Sequence, residues 1–217
     1  MITPMIPPTA MVFVIDDDES MRKSMQRLLD AARYKTEIFK SASEFLSRSA
    51  HFGPSCVIVD VKMPGLTGIE LQNALIEVGR EEQLVFVTGH GNIAMCAGVM
   101  KAGAVDFLPK PFKSKQLLES VERALSRSVE QRLRMSEKSH ARGLLERLTR
   151  REYEVMQLVA TGMLNKQIGA ELGMAEKTVK THRAHVMQKL RIASVAELMV
   201  LLQKAEIPPI AKPGTKV

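Results

Sequence analysis

Two kinds of hydrophobic pattern alternate over the first 125 residues. Val12-Phe13-Val14-Ile15 and Cys56-Val57-Ile58-Val59 are unbroken apolar runs of strand length, the pattern of strands covered on both faces in a parallel sheet. Between such runs lie amphipathic stretches of helical period. The pattern predicts strands over about 11 to 15, 36 to 39, 55 to 59, 84 to 87 and 104 to 108. It places helices over 19 to 32, from the capping-box pair Ser41 and Glu44, from a second pair Thr67 and Glu70, from beyond Thr88-Gly89-His90-Gly91 to about Ala102, and from Ser114 to Leu125. Asp18 is the expected N-cap of the first helix. Five strands alternating with five helices predict one doubly wound α/β domain.

The periodicity changes after residue 125. An apolar stripe of Leu117, Leu118, Val121, Leu125, Val129 and Leu133 runs on past the last helix until Ser136, Lys138, Ser139 and His140 interrupt it. It is too short for a sustained coiled coil, so residues 126 to 146 read as a helical linker that breaks or flexes near Gly143. Four short helices are expected over 147 to 207. Capping boxes at Thr149 and Glu152 and at Ser194 and Glu197 open the first and last, Asn165 is the expected cap of the second, and the third covers about 176 to 190. In the last helix Val195, Leu198, Met199 and Leu202 form the inward stripe, which Val200 and Leu201 extend. Residues 1 to 10, with three prolines and no basic start, and 208 to 217 read as disordered tails.

The net charge of +7 is unevenly placed. Residues 1 to 125 hold 14 Lys and Arg against 15 Asp and Glu, whereas residues 126 to 217 hold 17 against 9. The basic half is therefore the one to meet phosphates. Cys56 and Cys96 have no metal-site spacing and read as reduced packing residues of a cytoplasmic protein. No segment approaches the roughly 18 apolar residues of a membrane span.

Candidate chemistry concentrates where strands end. Asp16-Asp17-Asp18 follows the first strand, Asp60 the third and Lys110-Pro111 the fifth. In an open α/β sheet, side chains leaving the carboxyl ends of neighbouring strands converge on one crevice. Carboxylates packed there repel one another, and a hard divalent cation such as Mg²⁺ relieves that cost. In the basic half, the third helix placed at about 100° per residue turns Val179, Val186 and Leu190 inward. Lys177, Thr181, Ala184 and Gln188 fall opposite, with His185 and Lys180 on the shoulders. A small, Lys-bearing face of this kind suits a helix lying in the major groove of DNA, and equally an ordinary solvated face.

The ordered set Asp16, Asp17, Asp60, Thr88, Phe107 and Lys110-Pro111 resembles the receiver domain of two-component response regulators over about residues 11 to 125. That resemblance implies a five-stranded parallel sheet of order 2-1-3-4-5. It implies Mg²⁺ bound by Asp16, Asp17, Asp60 and the backbone carbonyl of Lys62, and Asp60 as acceptor of a phosphoryl group from a sensor histidine kinase. Lys110 would neutralise phosphoryl charge, Thr88 and Phe107 would act as switch residues, and Pro111 would follow a cis peptide. Leu148-Thr149-Arg150-Arg151-Glu152, Asn165-Lys166-Gln167-Ile168 and Thr178-Val179-Lys180-Thr181-His182-Arg183 resemble the LuxR-type helix-turn-helix. This second likeness implies DNA contacts from Lys166, Lys177, Lys180, Thr181, Arg183 and His185. Arg183 and Lys166 would meet phosphates, although the angle of Arg183 lies nearer the buried side.

The combined likeness is to regulators of the FixJ/NarL type, which implies a double-stranded DNA operator, a homodimer when phosphorylated, and RNA polymerase as a further partner. Two competing readings have distinct consequences. Asp16-Asp17-Asp18 also resembles the Asp-x-Asp start of haloacid-dehalogenase-like phosphatases, which would make Asp16 a nucleophile with turnover of phosphate esters. A regulator that binds DNA equally well unphosphorylated is the other.

Overall fold

In the computed structural model, residues 6–89 and 93–210 are described, and the elements follow the predicted alternation closely. Strands β1 (Met11–Ile15), β2 (Lys35–Phe39), β3 (Ser55–Asp60), β4 (Gln83–Thr88) and β5 (Asp106–Pro109) alternate with α1 (Glu19–Ala31), α2 (Ala42–Ser47), α3 (Gly68–Glu77) and α4 (Ile93–Lys101). After β5 come α5 (Ser114–Leu145), α6 (Arg150–Ala160), α7 (Asn165–Leu172), α8 (Glu176–Leu190) and α9 (Val195–Ala205). The strands form one parallel sheet of order β2-β1-β3-β4-β5. All six residues of β3 and of β4 are buried, which explains their unbroken apolar runs. One face packs Phe13, Phe45, Phe86, Leu71 and Leu75, and the other packs Val12, Val14, Ile58, Leu117 and Val121.

Helix starts show how far local sequence carries. Asp18 caps α1, its Oδ1 accepting from the N–H groups of Ser20 at 2.7 Å and Met21 at 3.2 Å. Of the four expected capping boxes, those at Thr67 and Thr149 are reciprocal. At Ser41 and Ser194 the serine accepts from the third helical N–H, but the returning glutamate takes the preceding residue's N–H, from Lys40 at 2.9 Å and Ala193 at 3.0 Å. The threonines have φ of −71° and −68°, whereas the serines have −155° and −142°. That rotation turns the serine's own N–H out of the glutamate's reach.

Residues 1–132 and 133–217 are two compact units whose boundary lies inside α5. The break expected near Gly143 is absent, because α5 is continuous to Leu145. Its segment from 126 belongs to the first unit up to Arg132. There Ser128 Oγ accepts from Ser55 N–H at 3.1 Å, Gln131 Oε1 from Gln83 Nε2 at 2.8 Å, and Arg132 donates to the Phe52 carbonyl at 2.8 Å. Further along, Ala141, Leu144 and Leu145 enter the core of the second unit. Packing on both sides of a glycine holds it helical against its modest propensity cost.

Of the tails expected to be disordered, residues 1–5 and 211–217 lie outside the described residues, as do His90 and Gly91. Residues 6–10 form a turn in which Ala10 N–H donates to Pro7 O at 2.9 Å, and Ile210 N–H donates to Gln157 at 3.3 Å.

The second unit packs Val155, Met156 and Val159 of α6, Ile168 of α7, Val179, Val186 and Leu190 of α8, and Leu198, Leu202 and Ala205 of α9. A Cβ at Gly169 would meet the Met174 carbonyl at 2.6 Å, so α7 and the turn before α8 approach as closely as a glycine allows. Two expectations are corrected here. Met199 and Val200 are 37 % and 52 % exposed and not inward, because the inward stripe of α9 continues through Leu202 and Ala205. Asn165 is the first helical residue of α7 and does not cap it; Leu164 precedes it, and Gln167 accepts from Leu164 N–H at 2.9 Å. The Asn165 side-chain Oδ1 is used elsewhere, accepting from Arg183 Nη1 at 3.2 Å.

Candidate functional site

Because the strands are parallel, the residues at their carboxyl ends share one rim, and Asp16, Asp60 and Lys110 meet there. Lys110 Nζ donates to Asp16 Oδ2 and to Asp60 Oδ2, each at 2.7 Å. The second oxygen of each carboxylate is held by backbone: Asp16 Oδ1 accepts from Asp18 N–H at 2.9 Å and Asp60 Oδ1 from Lys62 N–H at 3.2 Å. Arg22 donates to the Asp16 carbonyl at 2.6 Å. Oxygens of Asp16, Asp17 and Asp60 lie within 4.8 Å of one another.

Burial pushes the Asp16 carboxyl above the usual carboxylate range; the Lys110 ammonium and Asp18 N–H work against that, while the charge of Asp60 adds to it. Burial alone would lower the Lys110 ammonium, but the two carboxylates outweigh it and hold it above its ordinary value. One cation thus serves two carboxylates, with Asp17 exposed at the mouth. This donor set, hard oxygens with surplus negative charge and no sulfur or imidazole, fits Mg²⁺.

The remaining residues of the expected receiver set stand around this pocket. Thr88 is buried at the end of β4 and its carbonyl accepts from Lys110 N–H at 2.7 Å. Phe107 is half-buried against the same core as Phe86, its partner across the β4–β5 register. Phe86 and Thr88, two residues apart on one strand, share a face, so Phe107 packs on the side of the sheet that carries Thr88. The Lys110–Pro111 peptide is cis. Lys62 is exposed just beyond Asp60.

Gly68, not singled out in the sequence, sits at the first position of α3 with its N–H donating to Val61 O at 3.1 Å. A Cβ there would lie 2.4 Å from the Asp60 carbonyl oxygen, so a side chain at 68 would displace the backbone that carries Asp60. Its position in Thr67-Gly68, just inside a helix start, was the available signal.

In the second unit, Lys166, Lys177, Lys180, Thr181 and His185 are exposed, while Val179, Val186 and Leu190 are buried. Thr181 Oγ1 donates to the Lys177 carbonyl at 3.1 Å. Arg183 is half-buried and paired with Asn165, as its angle on the helix suggested. His182 is half-buried with its Nδ1 unpartnered among the described residues. The acidic rim lies in the first unit and the basic helix face in the second.

Comparison with known proteins agrees with both halves. The family model described as response regulator receiver domain matches residues 12–122, and that described as bacterial regulatory proteins, luxR family, matches residues 146–202. The chain is 44 % identical over 190 residues to Nodulation protein W of Bradyrhizobium diazoefficiens, covering 88 % of this chain and 84 % of the relative. It is 34 % identical over 204 residues to the transcriptional regulatory protein FixJ of Azorhizobium caulinodans, covering 94 % and 97 %. The solved structure of the response regulator StyR superposes with a TM-score of 0.79 at 43 % identity, over 90 % of this chain and 98 % of that one. Among the described residues, no helix is long and apolar enough to cross a membrane.

Proposed function

Since the chain belongs to the response regulators that join a receiver domain to a LuxR-type DNA-binding domain, we propose that Asp60 is the residue that accepts the phosphoryl group. The observation that carries this reading is a difference between two carboxylates held by the same ammonium. The Asp16 side chain is 1 % exposed, whereas that of Asp60 is 13 % exposed. Asp60 is the one a phosphoryl donor can reach.

A carboxylate oxygen of Asp60 attacks phosphorus, the bond from phosphorus to the donor's leaving group breaks, and an acyl phosphate forms on Asp60. With a sensor histidine kinase as donor, the bond broken is P–N and the leaving group is an imidazole. Mg²⁺ held by Asp16, Asp17, Asp60 and the Lys62 carbonyl would supply neutralisation of charge on the transferring oxygens. Lys110 transfers one of its hydrogen bonds from Asp60 to a phosphoryl oxygen. Thr88 hydrogen-bonds another, and Phe107 repacks toward the space Thr88 leaves. The two packings differ in contact with the phosphoryl group, which is what a population shift requires. A cleft of mixed polar and apolar character, lined by Met21, Ser24, Leu28, Lys110, Phe112 and Ser114 among others, offers the kinase a seat beside the pocket.

The output is binding of an operator in double-stranded DNA by the exposed face of α8. Lys177, Lys180, Thr181 and His185 face the groove, and Lys166 lies at the backbone. The engagement of Arg183 with Asn165 leaves it as a phosphate contact only through its remaining N–H groups. The exposed Met199 and Val200 of α9 suit a homodimer contact, and RNA polymerase is the further partner through which a bound dimer would act. These roles place the protein in the cytoplasm, where kinase, Mg²⁺ and DNA meet.

The deciding measurement is intact-mass analysis after incubation with acetyl phosphate and Mg²⁺. The unaltered chain gains one phosphoryl group and Asp60→Asn gains none. A phosphoryl group that persists on Asp60→Asn, or that maps to Asp16, overturns the assignment.

A further inference from the structure

An unassigned polar contact joins the helix expected to face DNA to the helix that opens its domain. Glu152, on the first turn of α6, has a side chain only 5 % exposed. Its Oε2 accepts from Thr149 N–H at 2.8 Å, Thr149 Oγ1 at 3.0 Å and Lys189 Nζ at 2.6 Å. Its Oε1 lies 3.8 Å from His185 Nδ1, too long for a hydrogen bond but close for charge. His185 and Lys189 are one turn apart on α8 and therefore share a face. Burial works to raise the Glu152 carboxyl, but Lys189 and the Thr149 donors bring it down to about 2, so the group is ionised at neutral pH. The other cations of the same helix start are committed elsewhere, Arg150 to Glu154 at 3.2 Å and Arg151 to Glu154 at 2.8 Å.

We infer that Glu152 is a positioning residue for DNA recognition: by holding Lys189 it sets the seat of α8 on α6 and withholds that ammonium from the duplex. The inference rests on the DNA-binding reading above. A free lysine at that place would add attraction to any phosphate backbone, with no information about sequence. A lysine already hydrogen-bonded to a buried carboxylate releases no counterion on binding. The pairing therefore favours selective binding over general binding, and it leaves the exposed Lys177, Lys180, Thr181 and His185 of α8 to meet DNA. Glu152 also completes the capping box, so one carboxylate couples the start of α6 to the far half of α8.

The test measures the salt dependence of binding by the full chain, activated with beryllofluoride and Mg²⁺. Two probes are used: a mixed-sequence duplex, and a duplex enriched in vitro by the unaltered chain. Lys189→Met keeps the apolar stem and removes the ammonium. Its expected effect is an unchanged salt slope, with the affinity ratio between enriched and mixed duplex falling on the order of tenfold. Glu152→Gln keeps the capping oxygen and removes the charge, and it should steepen the slope on the mixed duplex by about one unit as Lys189 is released. Adding Lys189→Met to Glu152→Gln should return the slope to that of the unaltered chain. A slope shallower by about one unit in Lys189→Met makes Lys189 a direct phosphate ligand and overturns the inference. Equal loss on both duplexes assigns the pair to stability alone and overturns it too. An unaltered chain that enriches no duplex and does not bind the mixed one defeats the DNA-binding reading itself, an outcome visible before any substitution is made.

Discussion

The sheet carries a group of three charges at each end, and the two groups are built on opposite principles. At the carboxyl rim, one ammonium, Lys110, bridges two carboxylates, Asp16 and Asp60. At the amino rim, one carboxylate, Glu82, serves two guanidinium groups, accepting from Arg48 at 3.1 Å and from Arg80 Nε at 2.9 Å. The guanidinium surplus is absorbed by aromatic faces: Arg48 lies 3.9 Å from the centre of the Phe13 ring and 4.7 Å from that of Phe45, and Arg80 lies 4.8 Å from Phe45. At the carboxyl rim, among the described residues, the second oxygen of each carboxylate is held by a backbone N–H, and Asp17 adds more charge of the same sign. A charge cluster whose excess is packed away holds the fold. One whose excess is left over is the kind of group that a bound cation would stabilise.

Substitutions in the two groups should therefore have different currencies. The largest expected effect is at Lys110: Lys110→Ala slows phosphoryl uptake from acetyl phosphate by about a hundredfold or more, because a preorganised cation at the transferring oxygens is lost. Time-resolved intact mass checks it, and a change under threefold would make Lys110 structural like its counterparts at the other rim. Next is Arg48→Met, expected to lower stability to urea by about 2 to 3 kcal/mol while leaving phosphoryl uptake unchanged. Slowed uptake in that variant would mean the two rims are coupled, and the comparison would fail.

The buried acid of the other unit extends the contrast to pH. The folded Glu152 carboxyl, at about 2, is depressed below its ordinary 4.5, so the stability it contributes is present above about 4.5 and is lost as pH falls toward 2. Glu152→Gln should lose about 1 to 2 kcal/mol at neutral pH and show a flatter decline through that window in urea titrations. Identical acid profiles for the two proteins would remove Glu152 from the pairing assigned to it.

The smallest effect is the most diagnostic. Asp60→Asn relieves one of the repelling carboxylates, and without Mg²⁺ it should be as stable as the unaltered chain or more so, by up to about 1 kcal/mol. Glu82→Gln at the other rim should destabilise. Destabilisation by both would show that the surplus at the carboxyl rim is not stored repulsion.

Much of this architecture was legible because it is written in local periodicity. Continuous apolar runs mark β3 and β4 as doubly covered, and Thr67 with Glu70 and Thr149 with Glu152 mark helix starts that the structure repeats. The acidic rim was legible because parallel strands place their carboxyl ends together, so Asp16, Asp60 and Lys110, far apart in sequence, converge by topology. The amino-rim group had no such marker. Arg48 follows α2, whereas Arg80 and Glu82 share the loop before β4, and nothing in their spacing predicts that the two guanidinium groups meet over aromatic faces. The same holds for Gly68 under the Asp60 backbone, for Ser128 against Ser55, and for Met199, turned outward where helical period alone pointed it in.

The chain by itself determined the strand and helix order, most of the helix starts, the acids and lysine at the strand ends, and the basic excess of the second half, since each depends on neighbours within a few residues or on the direction of a strand. Only the tertiary structure decided that α5 runs through Gly143, that Asn165 leaves its cap to hold Arg183, and that Glu152 reaches Lys189 across two helices. Those outcomes are settled by which distant side chains compete for the same hydrogen bond or the same buried space. That competition exists only once the helices have packed.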